Sequence, residues 1–297
     1  MSQKDLKILF RADSSSSIGL GHIMRDLVLA EQLEGEIIFA CQQLEGNIIA
    51  SIPYEVKLLT SNGEEELITL IKDLHVRLLV IDHYGIDASF EKRVKAATGV
   101  NILSFDDTYQ PHHCDILLNH NLSADKQRYH NLVPKHCELR CGSLYTLIRD
   151  EFKKEKKNKR KKIYDVFIAM GGTDAANITL SILKTLPERL RISALTTTSN
   201  AHLDELQNYV THKPNITLHV NSHEVAKLLH QSAFAIITPS VMVHEVLFME
   251  VPFIAIKIAD NQDDMYQYLL RTKQTVLDQK DINFFTTLRS FFENNND

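Results

Sequence analysis

Short apolar runs alternate with amphipathic stretches along most of the chain. Apolar runs of about four to eight residues predict buried strands, and apolar positions three and four residues apart predict the helices between them. Strands are predicted in the first half at residues 7–10, 35–40, 56–59, 77–82, 101–105 and 115–118, and in the second half at 163–170, 191–196, 216–220, 233–237 and 252–256. Such an alternation is typical of parallel sheets covered by helices.

The alternation is interrupted once, by a strongly basic segment. Eight of the ten residues from Lys153 to Lys162 are lysine or arginine. Such a run cannot be buried and indicates a linker at the surface. The alternative is that it attracts an anionic substrate. We predict an N-terminal Rossmann-like domain at 1–150, a basic linker at 151–162 and a C-terminal Rossmann-like domain at 163–297. The predicted fold class is therefore α/β of the GT-B type, with two such domains facing each other across a ligand cleft.

The loop after the first predicted strand carries the clearest chemical signal. Serines at 14–17 are followed by Gly19-x-Gly21-His22 at the start of a helix, an arrangement typical of an anion- or ligand-binding corner. The positive end of the helix dipole disfavours a protonated imidazole, so His22 is predicted to be neutral and able to act as a general base. The alternative is a tight turn in which the histidine only caps or packs.

Polar residues also follow other strands of the first half. Asp13 ends the first strand, and further polar groups follow the fourth and fifth strands at 82–85 and 106–107. Because the carboxyl ends of parallel strands line the binding crevice of such sheets, these side chains are expected near His22. We predict that Asp13 orients the ring of His22 and that Tyr84 joins the two in catalysis.

The second half offers candidate groups for a nucleotide diphosphate. Gly171, Gly172, Thr173 and Asp174 follow a strand and precede a helix. Backbone N–H groups of such a turn suit a pyrophosphate, with Thr173 or Asp174 capping the helix. The alternative is an ordinary strand–turn–helix connection.

Two later segments complete the predicted nucleotide site. Ser240 starts a helix and can cap it or contact a phosphate, and Glu245 can accept hydrogen bonds from a ribose diol. Asn261 and Gln262 supply neutral polar contacts after the next strand. The alternative for the first pair is a simple N-cap and a solvated glutamate.

Composition narrows the classes of partner. The formal charge of −5 gives no reason to expect nucleic acid as a partner. The sequence contains no apolar run of about 18 residues or more, so we predict no membrane helix. The four cysteines lack zinc-type spacing, and the adjacent His112 and His113 point apart, so we expect no metal and no cofactor. The chain starts without a secretion signal, which favours the cytoplasm. The sequence leaves the oligomeric state open, and a monomer is one of the alternatives.

Several of these segments together resemble a known family. The segments 19–22, 170–174 and 240–245, with 10–16, 81–85, 104–107 and 111–119, resemble the UDP-2,4-diacetamido-2,4,6-trideoxy-β-L-altropyranose hydrolases (PseG) of pseudaminic acid biosynthesis. That family is related to the GT-B transferase MurG. The likeness extends over nearly the whole chain. It departs from the family at His244, where a neutral amide is expected.

The resemblance implies hydrolysis of this UDP-sugar to 2,4-diacetamido-2,4,6-trideoxy-L-altrose and UDP, with His22 as the base and without a metal. It also implies a role in flagellin glycosylation. A single attack by water on the anomeric carbon predicts inversion. Two other functions stay open at this point, a GT-B glycosyltransferase with a UDP-sugar donor and a nucleotide-sugar binding protein without turnover.

Overall fold

The computed structural model describes residues 6–15 and 17–294. The chain divides into two compact units, Met1–Leu147 and Ile148–Asp297. Residues 1–5, 16 and 295–297, which belong to the predicted domains and to the serine loop, lie outside the described residues. No helix among the described residues is long and apolar enough to cross a membrane.

Unit 1 is a parallel sheet with helices on its faces. Its strands are β1 (Lys7–Ala12), β2 (Glu36–Gln42), β3 (Glu55–Leu59), β4 (Leu78–Asp82), β5 (Asn101–Phe105), β6 (Ile116–Asn119) and β7 (Glu138–Cys141), and its longer helices are α1 (Gly21–Ala30), α2 (Glu64–Leu74) and α3 (Ala88–Thr98). The strand order is β3-β2-β1-β4-β5-β6-β7, and every pair is parallel. The order therefore reverses between β1 and β4, where sheets of this kind bind ligands.

Strand β1 lies inside the sheet of unit 1, and its apolar side chains pack on both faces. Successive side chains of a strand point to opposite faces of the sheet. Ile8 and Phe10 pack into one hydrophobic core, and Leu9 packs into the core on the other face. Since helices cover both faces, the middle of β1 from Ile8 to Phe10 is a continuous apolar run instead of an alternating one. Lys7 is half-buried at the start of the strand, and the charged Arg11 is buried near its end.

Unit 2 repeats this architecture. Its strands are β8 (Tyr164–Ala169), β9 (Ile192–Thr196), β10 (Ile216–Val220), β11 (Ser232–Ile237), β12 (Phe253–Lys257) and β13 (Val276–Asp278), and its helices are α4 (Asp150–Glu155), α5 (Ile178–Thr185), α6 (Leu203–Thr211), α7 (Val225–His230), α8 (Val241–Phe248), α9 (Asp263–Arg271) and α10 (Phe284–Asn294). The strand order is β10-β9-β8-β11-β12-β13, again all parallel. Here the order reverses between β8 and β11.

Two strands escape the sequence prediction, and both lie at sheet edges. β7 ends the sheet of unit 1 and β13 ends the sheet of unit 2. β7 has four residues and β13 has three, and both are partly exposed, so neither carries an apolar run long enough to predict a strand. The edge strands β3 and β10, of five residues each, were predicted. All three residues of β13 are half-buried.

The predicted basic linker is wrong for its first part, because that part forms helix α4. The side chain of Phe152 is completely buried there, and Glu155 accepts two hydrogen bonds from Arg160 at 2.7 and 3.0 Å. Lys156 donates to the carbonyl oxygen of Phe248 at 2.5 Å. One apolar anchor therefore packs this end of the segment onto unit 2, while its lysines remain at the surface.

We expect Phe152→Ala to lower the free energy of unfolding by about 3–5 kcal/mol, because it leaves a cavity beneath α4. Lys154→Ala on the same helix removes an exposed side chain that pairs with Asp150 at the surface, and it should change that free energy by less than about 1 kcal/mol. Urea unfolding followed by circular dichroism compares the two variants. Equal stability of both would show that α4 does not contribute to the core of unit 2.

Candidate active site

The loop after β1 brings the glycines and serines of the first motif into a tight turn. Ser15 and Gly19 pair through their backbones, and Gly19 has a φ of +86°, a conformation that favours glycine. The hydroxyl of Ser15 accepts a hydrogen bond from the N–H of Ile18 at 2.9 Å. Ser14 and Ser15 are buried, so these two serines stabilise the loop instead of lining an open pocket. Gly21 is the first residue of α1.

His22 lies in the first turn of α1 and contacts the carboxylate of Asp82, the last residue of β4. Its Nδ1 is 2.6 Å from Oδ1 of Asp82, and both side chains are buried. Burial by itself raises the pKa of Asp82, but the charge and hydrogen bonds of Arg25 and the contact with His22 hold it well below its usual value. An ionised Asp82 can only accept, so Nδ1 carries the proton. Nε2 is then the ring nitrogen able to accept a proton.

Arg25 connects this pair to a second carboxylate. Its Nε and Nη2 donate to the two oxygens of Asp82 at 2.5 Å each, and its Nη1 donates to Oδ2 of Asp107 at 2.8 Å. The other oxygen of Asp107 accepts from the hydroxyl of Tyr84 at 2.9 Å. The ring of Tyr84 in turn contacts the ring of His22, with centroids 4.7 Å apart. The five side chains form a closed ring of contacts, called here the His22–Tyr84 ring.

Tyr84 thus lies beside His22, as predicted from its place after β4. Partial burial and the negative charge of Asp107 raise the pKa of Tyr84 to about 12. The hydroxyl therefore stays protonated near neutral pH and acts as a hydrogen-bond donor.

The predicted contact between Asp13 and His22 is wrong. Asp13 instead accepts two hydrogen bonds from Arg11 at 2.8 Å each, and its Oδ2 is 3.2 Å from Nε2 of His83. The N–H of Gln42 donates to the same carboxylate at 2.6 Å. Burial raises the pKa of Asp13, but these donors together lower it far below its usual value. Asp82 takes the place beside His22 because it lies on β4, across the reversal point from α1.

Two further titratable side chains, which were not among the predicted site residues, lie near the His22–Tyr84 ring. His120 follows β6 and is buried, and this burial, with the charge of Arg25, lowers its pKa to about 4. Asp26 is fully buried on α1, and among the described residues neither of its carboxylate oxygens has a hydrogen-bond partner. Burial, and secondarily the charge of Asp82, raise its pKa well above the usual value.

In unit 2, the glycine turn after β8 has a different arrangement from the predicted one. Gly171 has a φ of +91°, and Thr197 donates to the carbonyl oxygen of Gly172 at 2.8 Å. The turn is longer than predicted, and α5 starts at Ile178. Asp174 is buried and caps the helix by accepting from the N–H groups of Ile178 and Thr179 at 2.9 Å each.

The capping by Asp174 confirms one of the two predicted capping residues. It also means that a carboxylate already occupies the first N–H groups of α5. Backbone N–H groups available for an anion must therefore come from the turn itself, which includes Thr173, and not from the start of the helix.

Ser240 immediately precedes α8 and Glu245 lies on it, and this helix follows β11 at the reversal point of the second sheet. Ser240 precedes the helix, but its hydroxyl contacts the hydroxyl of Thr238 at 3.0 Å instead of capping the helix. Glu245 is 2 % exposed and accepts from Nε and Nη2 of Arg149 at 2.6 and 3.0 Å. The alternative of a solvated glutamate is therefore wrong. The neighbouring His244 is also buried.

The last two predicted residues, Asn261 and Gln262, lie in one turn but have different surroundings. Gln262 accepts from the N–H of Ile258 at 2.8 Å and closes a short turn after β12. Asn261 is exposed in the same turn. Among residues 6–15 and 17–294, no group of three or more His, Cys, Asp or Glu side chains is placed to hold a metal ion.

Comparisons with known proteins identify the relatives of this chain. No protein-family model matches it. Over 266 residues it is 49% identical to the UDP-2,4-diacetamido-2,4,6-trideoxy-β-L-altropyranose hydrolase of Campylobacter jejuni, a match that covers 90% of this chain and 97% of that protein. The chain belongs to the family of this hydrolase. It is also 21% identical to the spore coat polysaccharide biosynthesis protein SpsG of Bacillus subtilis, over 84% of this chain and 77% of that protein.

Solved structures of low identity show the fold. The chain resembles MurG of Acinetobacter baumannii with a TM-score of 0.60 and 15% identity, over 97% of this chain and 90% of that one. It resembles Anabaena HepE in complex with UDP with a TM-score of 0.62 and 9% identity, over 98% and 91% of the two chains. With the two parallel sheets, these likenesses confirm the predicted GT-B fold class.

Asp26 generates a prediction on stability. Its pKa is raised in the folded protein, so the folded state binds more protons than the unfolded state above about pH 4. The free energy of unfolding should therefore fall as pH rises, by up to about 1.4 kcal/mol per pH unit from this group alone. Asp26→Asn removes this loss, and we expect its stability relative to the unsubstituted protein to increase with pH.

Urea unfolding between pH 4 and pH 8 measures this difference. The control is Asp73→Asn, which changes an exposed aspartate of α2 and should run parallel to the unsubstituted protein. A constant difference between Asp26→Asn and the unsubstituted protein across this range would mean that Asp26 is ionised in the fold.

Proposed function

We propose that the protein hydrolyses UDP-2,4-diacetamido-2,4,6-trideoxy-β-L-altropyranose to 2,4-diacetamido-2,4,6-trideoxy-L-altrose and UDP. The observation that carries the proposal is the 49% identity, over nearly the full length of both proteins, to the hydrolase of Campylobacter jejuni. The buried His22–Asp82 pair supplies the base that this reaction requires. The same identity supports a place in pseudaminic acid biosynthesis, with flagellin glycosylation as its destination and the cytoplasm as its location.

In the proposed mechanism, Nε2 of His22 accepts a proton from a water molecule as the water oxygen bonds to the anomeric carbon. The bond between this carbon and the diphosphate oxygen breaks, and its electron pair leaves with UDP. A single attack from the opposite face inverts the anomeric centre. Asp82 holds the ring through Nδ1 and stabilises the imidazolium that forms, as a buried carboxylate does in other His-based sites.

The other predicted residues of unit 1 have supporting parts in this proposal. Tyr84 packs against the ring of His22 and limits its rotation. Asp13 is held by Arg11 and His83, so its part is to fix the loop that carries Gly19 and Gly21. Those two glycines let the backbone of the loop approach the sugar diphosphate closely, since neither carries a side chain.

For unit 2 we propose the binding of the UDP group. The turn of Gly171, Gly172 and Thr173 offers backbone N–H groups to the diphosphate, and Asp174 keeps the turn in place through its capping bonds. Ser240 contacts a phosphate oxygen from the start of α8.

Glu245 accepts from the ribose hydroxyls in this proposal while Arg149 holds it. A carboxylate has about four acceptor positions, so the two bonds to Arg149 leave capacity for the diol. Asn261 is exposed and available to the sugar, and Gln262 shapes the turn that carries it.

The direct test incubates the pure protein with the UDP-sugar, with and without an alcohol acceptor. We expect UDP and the free sugar to appear at the same rate in both reactions. A glycoside that forms only with the alcohol would identify a glycosyltransferase. Binding without any release of UDP would identify a nucleotide-sugar binding protein.

Replacement of the proposed base should separate catalysis from binding. We expect His22→Asn to lower kcat by roughly 10²–10⁴-fold, the usual contribution of a general base. Its Kd for UDP, measured by calorimetry, should stay within about twofold, because the nucleotide is assigned to unit 2. Turnover close to that of the unsubstituted protein would overturn the assignment of His22.

Replacement of the proposed ribose acceptor should act on binding. Hydrogen bonds to a charged group contribute about 1.5–3 kcal/mol each, and the two hydroxyls share one carboxylate, so Glu245→Ala should raise KM about tenfold. The kcat should fall much less, since this contact is the same in the ground and transition states.

The matched control is Glu250→Ala, which removes an exposed carboxylate that pairs with Lys156 just after α8. It should leave both parameters unchanged. An unchanged KM for Glu245→Ala, in a variant with normal circular dichroism, would place Glu245 outside the nucleotide site.

A further inference from the structure

Arg25 has the largest set of charged contacts in the His22–Tyr84 ring. Three of its guanidinium nitrogens donate to two different carboxylates, two of them to Asp82 and one to Asp107. The guanidinium also lies over the ring of Phe105, 5.1 Å from the centroid. A planar fork with donors on two sides suits this double task, which a lysine ammonium cannot reproduce.

Each carboxylate bound by Arg25 in turn contacts one of the two groups assigned to the reaction. Asp82 contacts His22 at 2.6 Å, and Asp107 contacts the hydroxyl of Tyr84 at 2.9 Å. The side chain of Asp82 is 1 % exposed, so it depends on its neighbours for a compensating charge. Buried ions of this kind require a partner of opposite sign.

We propose that Arg25 is the positioning residue of this site, with one guanidinium that holds Asp82 against His22 and Asp107 against Tyr84. The expected effect of Arg25 on turnover rests on the proposed hydrolase function. Its expected effect on the tautomer of the His22 imidazole does not. Arg25 itself takes no part in bond making or breaking. It fixes the direction of the base and the place of the tyrosine at the same time.

The consequence of removing Arg25 follows from the groups around Asp82. These are His22, Arg25 and Asp26 on α1, with Asp107 after β5 and His120 after β6. Without the guanidinium, the remaining fixed charge beside Asp82 is negative, and the buried carboxylate takes up a proton. A protonated Asp82 donates to Nδ1, so the ring hydrogen of His22 moves to Nε2. That nitrogen can then no longer accept a proton from water.

The test measures the ring of His22 directly, in the full-length protein with ¹⁵N-labelled histidine. The signals of His22 are identified by their loss in His22→Gln. We expect the hydrogen on Nδ1 in the unsubstituted protein and on Nε2 in Arg25→Met at pH 7. Arg25→Lys restores one positive charge and should restore the Nδ1 form at least in part.

The same variants are assayed for release of UDP. We expect kcat of Arg25→Met to fall by about 10²-fold or more, since the base is lost, while KM changes by less than about threefold. Arg93→Met is the matched control. It removes another arginine of unit 1 with two bonds to one carboxylate, that of Glu64, at 2.7 Å each, and it should behave as the unsubstituted protein in both measurements.

A second variant keeps the proposal testable if Arg25→Met does not fold. Asp107→Ala leaves the bonds between Arg25 and Asp82 in place but removes the acceptor of Tyr84. It should keep the Nδ1 form of His22 and lower kcat. Tyr84→Phe should then cause no additional loss in the Asp107→Ala background, because the hydroxyl already lacks its partner.

The outcomes separate the positioning role from the function. An unchanged His22 tautomer in Arg25→Met would overturn the positioning role, even if kcat falls, because Arg25 would then act by another route. In Asp107→Ala, a full multiplicative loss from Tyr84→Phe would overturn the link to the tyrosine. If the unsubstituted protein releases no UDP but the tautomer moves as expected, the proposed function fails and the positioning role stands.

Discussion

The pairing of Arg25 with Asp82 is the interaction on which the arrangement around His22 depends. A carboxylate that is almost fully buried stays ionised only beside a compensating charge. The ionised carboxylate then determines which nitrogen of His22 carries the hydrogen. Because Arg25 and His22 lie three residues apart on α1, both reach the same face of the helix. The short helix after the glycine loop therefore presents His22 and the positive charge that compensates Asp82 together.

The two units share one topology but place different chemistry at its reversal point. In unit 1 charged side chains lie at the carboxyl ends of β1 and β4, with Asp13 just after β1 and Asp82 at the end of β4. In unit 2 the turns after β8 and β11 carry glycines and hydroxyls. The carboxylate of Asp174 there caps α5, and that of Glu245, on α8, is bound by Arg149. The strand order explains where ligand groups gather in each sheet. The side chains of the turns decide what those groups can do.

Much of the fold could be predicted from the sequence, because buried central strands leave continuous apolar runs. Strands β5 and β10 have the predicted bounds. Strands β7 and β13 were missed, since they are short and partly exposed and carry no such run. The first part of the linker was misjudged because a single apolar residue, Phe152, packs a helix whose other residues are mostly charged.

The candidate site was predictable in its composition but not in its pairings. The sequence shows that polar residues follow several parallel strands, but not which of them contact each other. Asp13 is near His22 in sequence, whereas Asp82 is near it in space, because β4 pairs with β1 in the sheet. The three-residue spacing of His22 and Arg25 was the available signal for Arg25. Arg149 gave no comparable signal, since its partner Glu245 lies 96 residues away.

The charges of the five side chains in the His22–Tyr84 ring also bear on which unit binds the diphosphate. With a neutral His22, the ring contains two carboxylates and one guanidinium and has a net charge of −1. Uptake of a proton by His22 brings this net charge to zero, so the five side chains would stabilise His22 after it has acted as the proposed base. Before His22 takes up a proton, the net negative charge of these five side chains does not attract an anionic diphosphate. The backbone N–H groups of a glycine turn carry no negative charge and can donate to a phosphate. This difference supports the assignment of the UDP group to the turn that contains Gly171 and Gly172.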